Sequence, residues 1–149
     1  MRRLLVVFTL VMMLLAPSAG AALSEVSLAD IVVRHALSCV GIRYRFAGEG
    51  ERGFDCAGLV RRTFAFIGIR LPRTTTEQFR SGRGIDKCEL KAGDLVFFEN
   101  TYRPGISHVG IYIGDGRFVH AASTPKRVRV DRLDSDYYVK RYAGARRVM

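Results

Sequence analysis

The apolar positions of this chain change their period part-way along. Ile31, Val32, Ala36, Leu37 and Val40 recur at helical spacing, and Ser27-Leu28-Ala29-Asp30 ahead of them has the Ser/Thr-x-x-Asp/Glu form of a helix start. Gly41 is placed to end that helix. Over 42–54 the period is lost: Tyr44 and Phe46 stand among charges and small residues, which reads as a loop. Asp55 is a good N-cap, and Leu59, Val60, Phe64 and Ile67 predict a helix over Cys56–Ile67, with Gly68 as its stop. A short helix is expected over Thr74–Gln78, with Thr75 and Gln78 as its capping box. Strand-like runs follow at Leu95–Phe98, His108–Ile113 and Arg117–Ala121, with weaker ones at Val128–Val130 and Tyr138–Val148. Gly114-Asp115-Gly116 marks a hairpin turn. Helices first and strands afterwards imply an α+β domain, its helices packed on an antiparallel sheet.

The start of the chain has another signature. Arg2 and Arg3 precede an apolar stretch from Leu4 to Leu15, and Ala19-Gly20-Ala21 forms an A-x-A cleavage site. This predicts a signal peptide over 1–21, a short linker over 22–29 and one folded domain over 30–149. An uncleaved anchor is the alternative, although the apolar run falls short of the ~20 residues of a spanning helix. No cysteine follows the cleavage site to carry a lipid. The expectation is a soluble periplasmic or secreted protein. Its 24 Lys and Arg against 14 Asp and Glu leave a net charge of +10. The basic residues are scattered, without the run that marks a nucleic-acid arm. Attraction to a polyanionic cell envelope is the better reading, with nucleic acid disfavoured as a partner.

The candidate chemistry lies at Gly53-Phe54-Asp55-Cys56-Ala57-Gly58. A cysteine at the first position of a helix sits in the positive end of the macrodipole, beside amides with no intrahelical partner. This is expected to lower the thiol pKa from its free value of ~8.5 and to prepare an oxyanion site. Asp55 is read as a cap and not as a catalytic acid. Gly58 is a poor helix former, so its place in the first turn implies close approach by a substrate or by neighbouring backbone. His35 reads as an ordinary boundary residue. Cys39 and Cys88 either form a disulfide, leaving Cys56 free, or are two small buried apolar side chains.

His108 and His120 share a face of the hairpin only if the pairing places Gly110 opposite His120. That needs an odd-numbered loop or a bulge. His108 would then act as general base for Cys56, with His120 orienting its ring through a ring–ring hydrogen bond. Zinc held by Cys56, His108 and His120 is the weaker alternative, because no paired ligand spacing is present. No cofactor is expected.

Several ordered segments resemble the NlpC/P60 family of papain-like cysteine peptidases. They are Tyr44-Arg45-Phe46-Ala47-Gly48, Asp55-Cys56-Ala57-Gly58-Leu59-Val60, Leu71-Pro72-Arg73-Thr74, Gly93 to Phe98, His108 to Gly114, and Phe118 to Ala121. The resemblance implies a papain-like fold and a peptidoglycan endopeptidase, with Cys56 as nucleophile, His108 as base and His120 as orienting residue. Tyr44 would lie near the nucleophile and help hold the oxyanion or the substrate carbonyl; a core aromatic is the other reading. Arg73 is a candidate partner for a substrate carboxylate, or simply a surface charge before a helix. Ala57 stands where the family has serine, and Ala47 where it has glycine. The Arg-Tyr-Arg-Phe loop and compact form look most like the branch that cuts D-alanyl–diaminopimelate crosslinks; D-glutamyl–diaminopimelate is the other bond the family implies. A silent wall-binding module and an exported antibacterial amidase toxin are the remaining readings. The expected partners are peptidoglycan and a protein regulator or adaptor, with the protein itself a monomer.

Overall fold

The computed structural model describes residues 25–50 and 52–149; the predicted signal peptide lies outside them. The element order is α1 (Leu28–Ser38), β1 (Glu49–Gly50), β2 (Gly53–Phe54), α2 (Cys56–Ala65), α3 (Thr75–Gln78), β3 (Arg83–Ile85), β4 (Leu95–Glu99), β5 (Ile106–Gly114), β6 (Arg117–Ser123), β7 (Lys126–Arg132), α4 (Asp136–Val139) and β8 (Tyr142–Arg147). A turn of 3-10 helix at Lys87–Glu89 joins β3 to β4. Strands β3 to β8 form an antiparallel sheet in the order β3-β8-β4-β5-β6-β7.

Helix α1 starts as its sequence dictates. The Ser27 hydroxyl accepts from the Asp30 amide while Asp30 accepts from the Ser27 amide, closing a capping box. Leu28 and Ala29 therefore belong to this helix and not to a linker. Asp55 caps α2 by accepting the Gly58 amide at 2.7 Å. The helix ends two residues sooner than its apolar stripe predicts. Phe66 is the C-cap, and Gly68 lies beyond it at positive φ.

The sheet divides the apolar side chains by alternation. Leu95, Phe97, Val109, Ile111, Val119 and Ala121 face α1 and α2, where they pack against Val32, Ala36, Leu59, Val60 and Phe64. Val96, Phe98, Phe118 and Ala145 face the other way, against Leu133, Tyr138 and Tyr142. Cys56 to Val60 are buried without interruption. The loop after α1 closes over the first turn of α2 at Gly58, where the Gly48 carbonyl comes close, so this helix start has no solvent face.

Several expectations are corrected. Cys39 and Cys88 form no disulfide: Cys39 is buried at the end of α1, and Cys88 is exposed on the 3-10 turn. The cap of α3 is Thr74 and not Thr75; its hydroxyl accepts the Glu77 amide and donates to the Glu77 carboxylate. The pairing of Thr74 with Glu77 satisfies the same orphan amides one residue earlier. Tyr138 belongs to the short helix α4, so the last strand begins at Tyr142. His35 packs on Phe66 and meets the Thr63 hydroxyl at 3.3 Å, as an ordinary boundary residue would.

Candidate active site

Everything at the site depends on the β5–β6 hairpin. Its turn holds two residues, Asp115 and Gly116, both at positive φ, as a tight primed turn requires. Taken alone, a two-residue turn would send the two histidines to opposite faces. Ile111 pairs with Val119 and Tyr112 with Phe118, but Gly114 pairs with Arg117, so the register shifts between Tyr112 and Gly114. This bulge restores the parity the histidines need. His108 Nε2 and His120 Nδ1 lie 2.8 Å apart with perpendicular rings. Gly110 is the gap between them: a Cβ there would meet Phe118 Cδ2 at 2.6 Å and His120 Cβ at 3.2 Å.

Cys56, from α2, reaches the main chain of β5 next to His108. The amide of Val109, the residue after His108, lies against its sulfur, and so does the amide of Ala57. Among the described residues, the one side-chain partner of the sulfur is the Thr75 hydroxyl at 3.7 Å. Thr75 is not the cap of its helix, and its side chain turns inward instead. Burial pushes the Cys56 thiol above its ordinary range, although the Thr75 hydroxyl and the two amides oppose this. Burial likewise drives His108 well below its ordinary value, and His120 beside it adds to the fall. Burial thus works against the helix terminus at the thiol, and it favours the neutral form of both the thiol and the imidazole. The amides of Val109 and Ala57 stand where they would stabilise negative charge on the sulfur.

Tyr44 enters from the loop between α1 and β1, anchored where its amide donates to the Lys126 carbonyl. Burial raises its phenol pKa and proximity to Cys56 adds to the rise, so the hydroxyl remains a neutral donor near the sulfur. Ala47 holds φ +57°, so this loop does need the left-handed conformation that glycine adopts freely. Arg73 departs from expectation. Its guanidinium donates to both Asp55 oxygens, at 3.2 and 2.6 Å, and its Nε lies 2.9 Å from Glu49 Oε1. The fork that would take a substrate carboxylate is occupied in clamping the N-cap of α2.

Beyond His120 the structure adds residues that no motif announced. His120 Nε2 lies 2.9 Å from Asp131 Oδ2, the Tyr138 hydroxyl donates to the same oxygen at 3.1 Å, and Arg129 donates to Oδ1. A cleft of about 680 Å³ opens beside His108, His120 and Asp131, with Tyr102, Arg129 and Tyr138 in its walls. Among the described residues, no cluster of His, Cys, Asp and Glu is arranged to hold a metal ion.

The sequence model of the NlpC/P60 family matches residues 41–147. The chain belongs to the NlpC/P60 family. It is 47% identical over 111 residues to a probable endopeptidase NlpC homolog of Haemophilus influenzae, covering 74% of this chain and 57% of that protein. It is 46% identical over 112 residues to the murein DD-endopeptidase MepS/murein LD-carboxypeptidase of Escherichia coli, covering 73% and 57%. An NlpC/P60 family protein from Bacillus cereus superposes with a TM-score of 0.77 at 34% identity, over 83% of this chain and 41% of that one. The chain thus spans little more than half the length of the first two relatives. For an NlpC/P60 domain, the papain-like α+β architecture was legible in advance; Asp131, Tyr138 and Thr75 were not. One signal existed for Asp131: β7 continues the hairpin from β6, and alternation along it puts Arg129 and Asp131 on the His120 face.

Proposed function

We propose that this NlpC/P60 domain is a cysteine peptidase that hydrolyses peptide bonds in peptidoglycan stem peptides or crosslinks. The observation that carries the reading is the convergence of Cys56, at the start of α2, with the strand bearing His108, whose ring is held by His120. In the mechanism, His108 Nδ1 takes the Cys56 proton as the sulfur adds to the substrate carbonyl. The oxyanion forms beside the main-chain amides at the start of α2, with Tyr44 as a further donor. His108 returns the proton to the leaving amine, the C–N bond breaks and a thioester remains. Water, deprotonated by His108, then adds to the thioester and releases the acid product and the thiol.

The proposed activity is that of an exported enzyme. The leader over 1–21 would direct it to the periplasm or outside, and the net charge of +10 favours adsorption to an anionic envelope. The similarity to proteins named murein DD-endopeptidases supports the crosslink as substrate. The test is mass spectrometry of muropeptides after incubating purified peptidoglycan with the protein and with Cys56→Ala. Fragments made only by the wild type are expected, and their masses name the bond. Binding without cleavage by either form would refute the peptidase and favour a silent wall-binding module.

A further inference from the structure

The carboxylate of Asp131 is saturated. Oδ2 accepts from His120 Nε2 at 2.9 Å and from the Tyr138 hydroxyl at 3.1 Å, while Oδ1 accepts from Arg129 Nε at 2.8 Å and from Arg129 Nη2. A carboxylate offers about four acceptor sites, and all four are taken. The placement follows from the β6–β7 register. His120 lies opposite Arg129 and Phe118 opposite Asp131, so the acid sits diagonally across from the imidazole on one face of the sheet.

We propose that Asp131, clamped by Arg129 and Tyr138, fixes the proton positions on both imidazoles and so keeps His108 Nδ1 bare to receive the Cys56 proton. It is a positioning residue in a Cys-His-His-Asp relay, and its catalytic consequence rests on the peptidase reading above. The logic runs outward from the guanidinium, which has no acceptor and obliges Oδ1 to accept. Burial raises the Asp131 carboxyl, but hydrogen bonds from His120 and Arg129 outweigh it and hold the group at about 2, so Oδ2 has no proton to give. His120 must then carry its proton on Nε2. Burial keeps that ring neutral, so its Nδ1 is bare and can only accept. His108 must therefore place its own proton on Nε2, which leaves Nδ1 as the free base. The charged and titratable groups facing His120 are His108 from β5, Arg129 and Asp131 from β7, and Tyr138 from α4.

Asp131→Asn tests this because its amide has one permitted orientation. The oxygen must face Arg129, or two sets of N–H groups would collide, so the NH₂ must face His120. His120 then accepts at Nε2 and donates from Nδ1, His108 accepts at Nε2, and the proton of His108 moves to Nδ1, where it blocks the base. In ¹⁵N-histidine spectra the wild type is expected to show protonated Nε2 on both rings, and Asp131→Asn protonated Nδ1 on both. Muropeptide cleavage by Asp131→Asn should lose about 10²- to 10⁴-fold in kcat, with KM little changed, as for a wrong-tautomer triad. Arg129→Met combined with Asp131→Asn lets the amide turn its oxygen to His120 and should recover at least about tenfold of that loss. A merely structural acid would not be rescued by removing a further contact.

A wild-type spectrum with His120 protonated at Nδ1 would overturn the proposal, even if every variant failed to fold. So would an Asp131→Asn protein that keeps the wild-type pattern, or a double variant no better than the single. The proton pattern is read without substrate. Failure to cut any muropeptide would therefore refute the peptidase reading while leaving this test to be decided on its own.

Discussion

Gly58→Ala sets two effects of known size against each other. Gly58 lies in the first turn of α2, where alanine is the better helix former by about 1 kcal/mol. Propensity alone would have the substitution stabilise. The tertiary structure reverses the sign, because the new methyl carbon would lie 2.1 Å from the Gly48 carbonyl oxygen and 3.0 Å from Asp55 Oδ1. Neither obstacle can turn aside. The Gly48 carbonyl is main chain and accepts the Asp55 amide at 3.0 Å, while Asp55 Oδ1 is the cap of the helix itself. Overpacking of this kind costs about 1–3 kcal/mol, and straining the Asp55–Gly48 bond adds about 1 kcal/mol. The net expectation is a loss of about 1–3 kcal/mol, or roughly 3–10 °C in melting temperature for a domain of this size. Thermal unfolding of Gly58→Ala beside Gly50→Ala measures it, since a methyl at Gly50 meets nothing within 4 Å. The control should stay within about 0.5 kcal/mol of wild type. A Gly58→Ala protein as stable as wild type, or more so, would show that the loop yields freely and would refute the reasoning.

Four further outcomes are expected. Gly110→Ala drives a methyl toward Phe118 and His120, so it should lower muropeptide cleavage by more than about tenfold, as misplacement at a catalytic pair does; unchanged activity would mean that the ring pair tolerates movement. Asp131 is held at about 2 against an ordinary 3.8, so its stabilisation, about 2 kcal/mol, is fully present above about pH 4 and is lost as pH falls through about 2. Denaturant titrations across that window should show this acid loss in the wild type and its absence in Asp131→Asn. Iodoacetamide should label exposed Cys88 before buried Cys56 at pH 7, with Cys56 labelling rising about tenfold per pH unit because its thiol is pushed up; a labelling plateau reached below pH 6 would indicate a preformed thiolate. Gln78→Leu removes a buried amide that donates to the Ala57 and Pro72 carbonyls at 3.0 and 2.9 Å, and should cost about 1–3 kcal/mol in urea unfolding.

Local signals carried much of this domain. Ser27 with Asp30, and Asp55 before Cys56, are caps whose partners lie within three residues, so the sequence alone places both helix starts. The turn at Asp115-Gly116 is equally local. The reading failed where two local solutions competed. Thr74 with Glu77 and Thr75 with Gln78 are both plausible caps. The choice fell to Thr74 where Thr75 is buried against the cysteine. Tyr138 has the residue type of a strand, but it lies in a short helix that brings its hydroxyl onto Asp131.

By itself the sequence determined the α+β order of elements, the cysteine at a helix start and the condition under which two histidines could meet. Each of these depends on neighbours within a turn or on a parity count along a strand. Tertiary structure alone decided how the condition was met, by a bulge with a two-residue turn and not by a longer loop. It also decided that Arg73 would clamp Asp55 and that Asp131 would lie against His120. Packing also bears on charge at the site. A helix terminus acts on a thiol locally, but desolvation is set by everything packed around it, and at Cys56 the packing prevails.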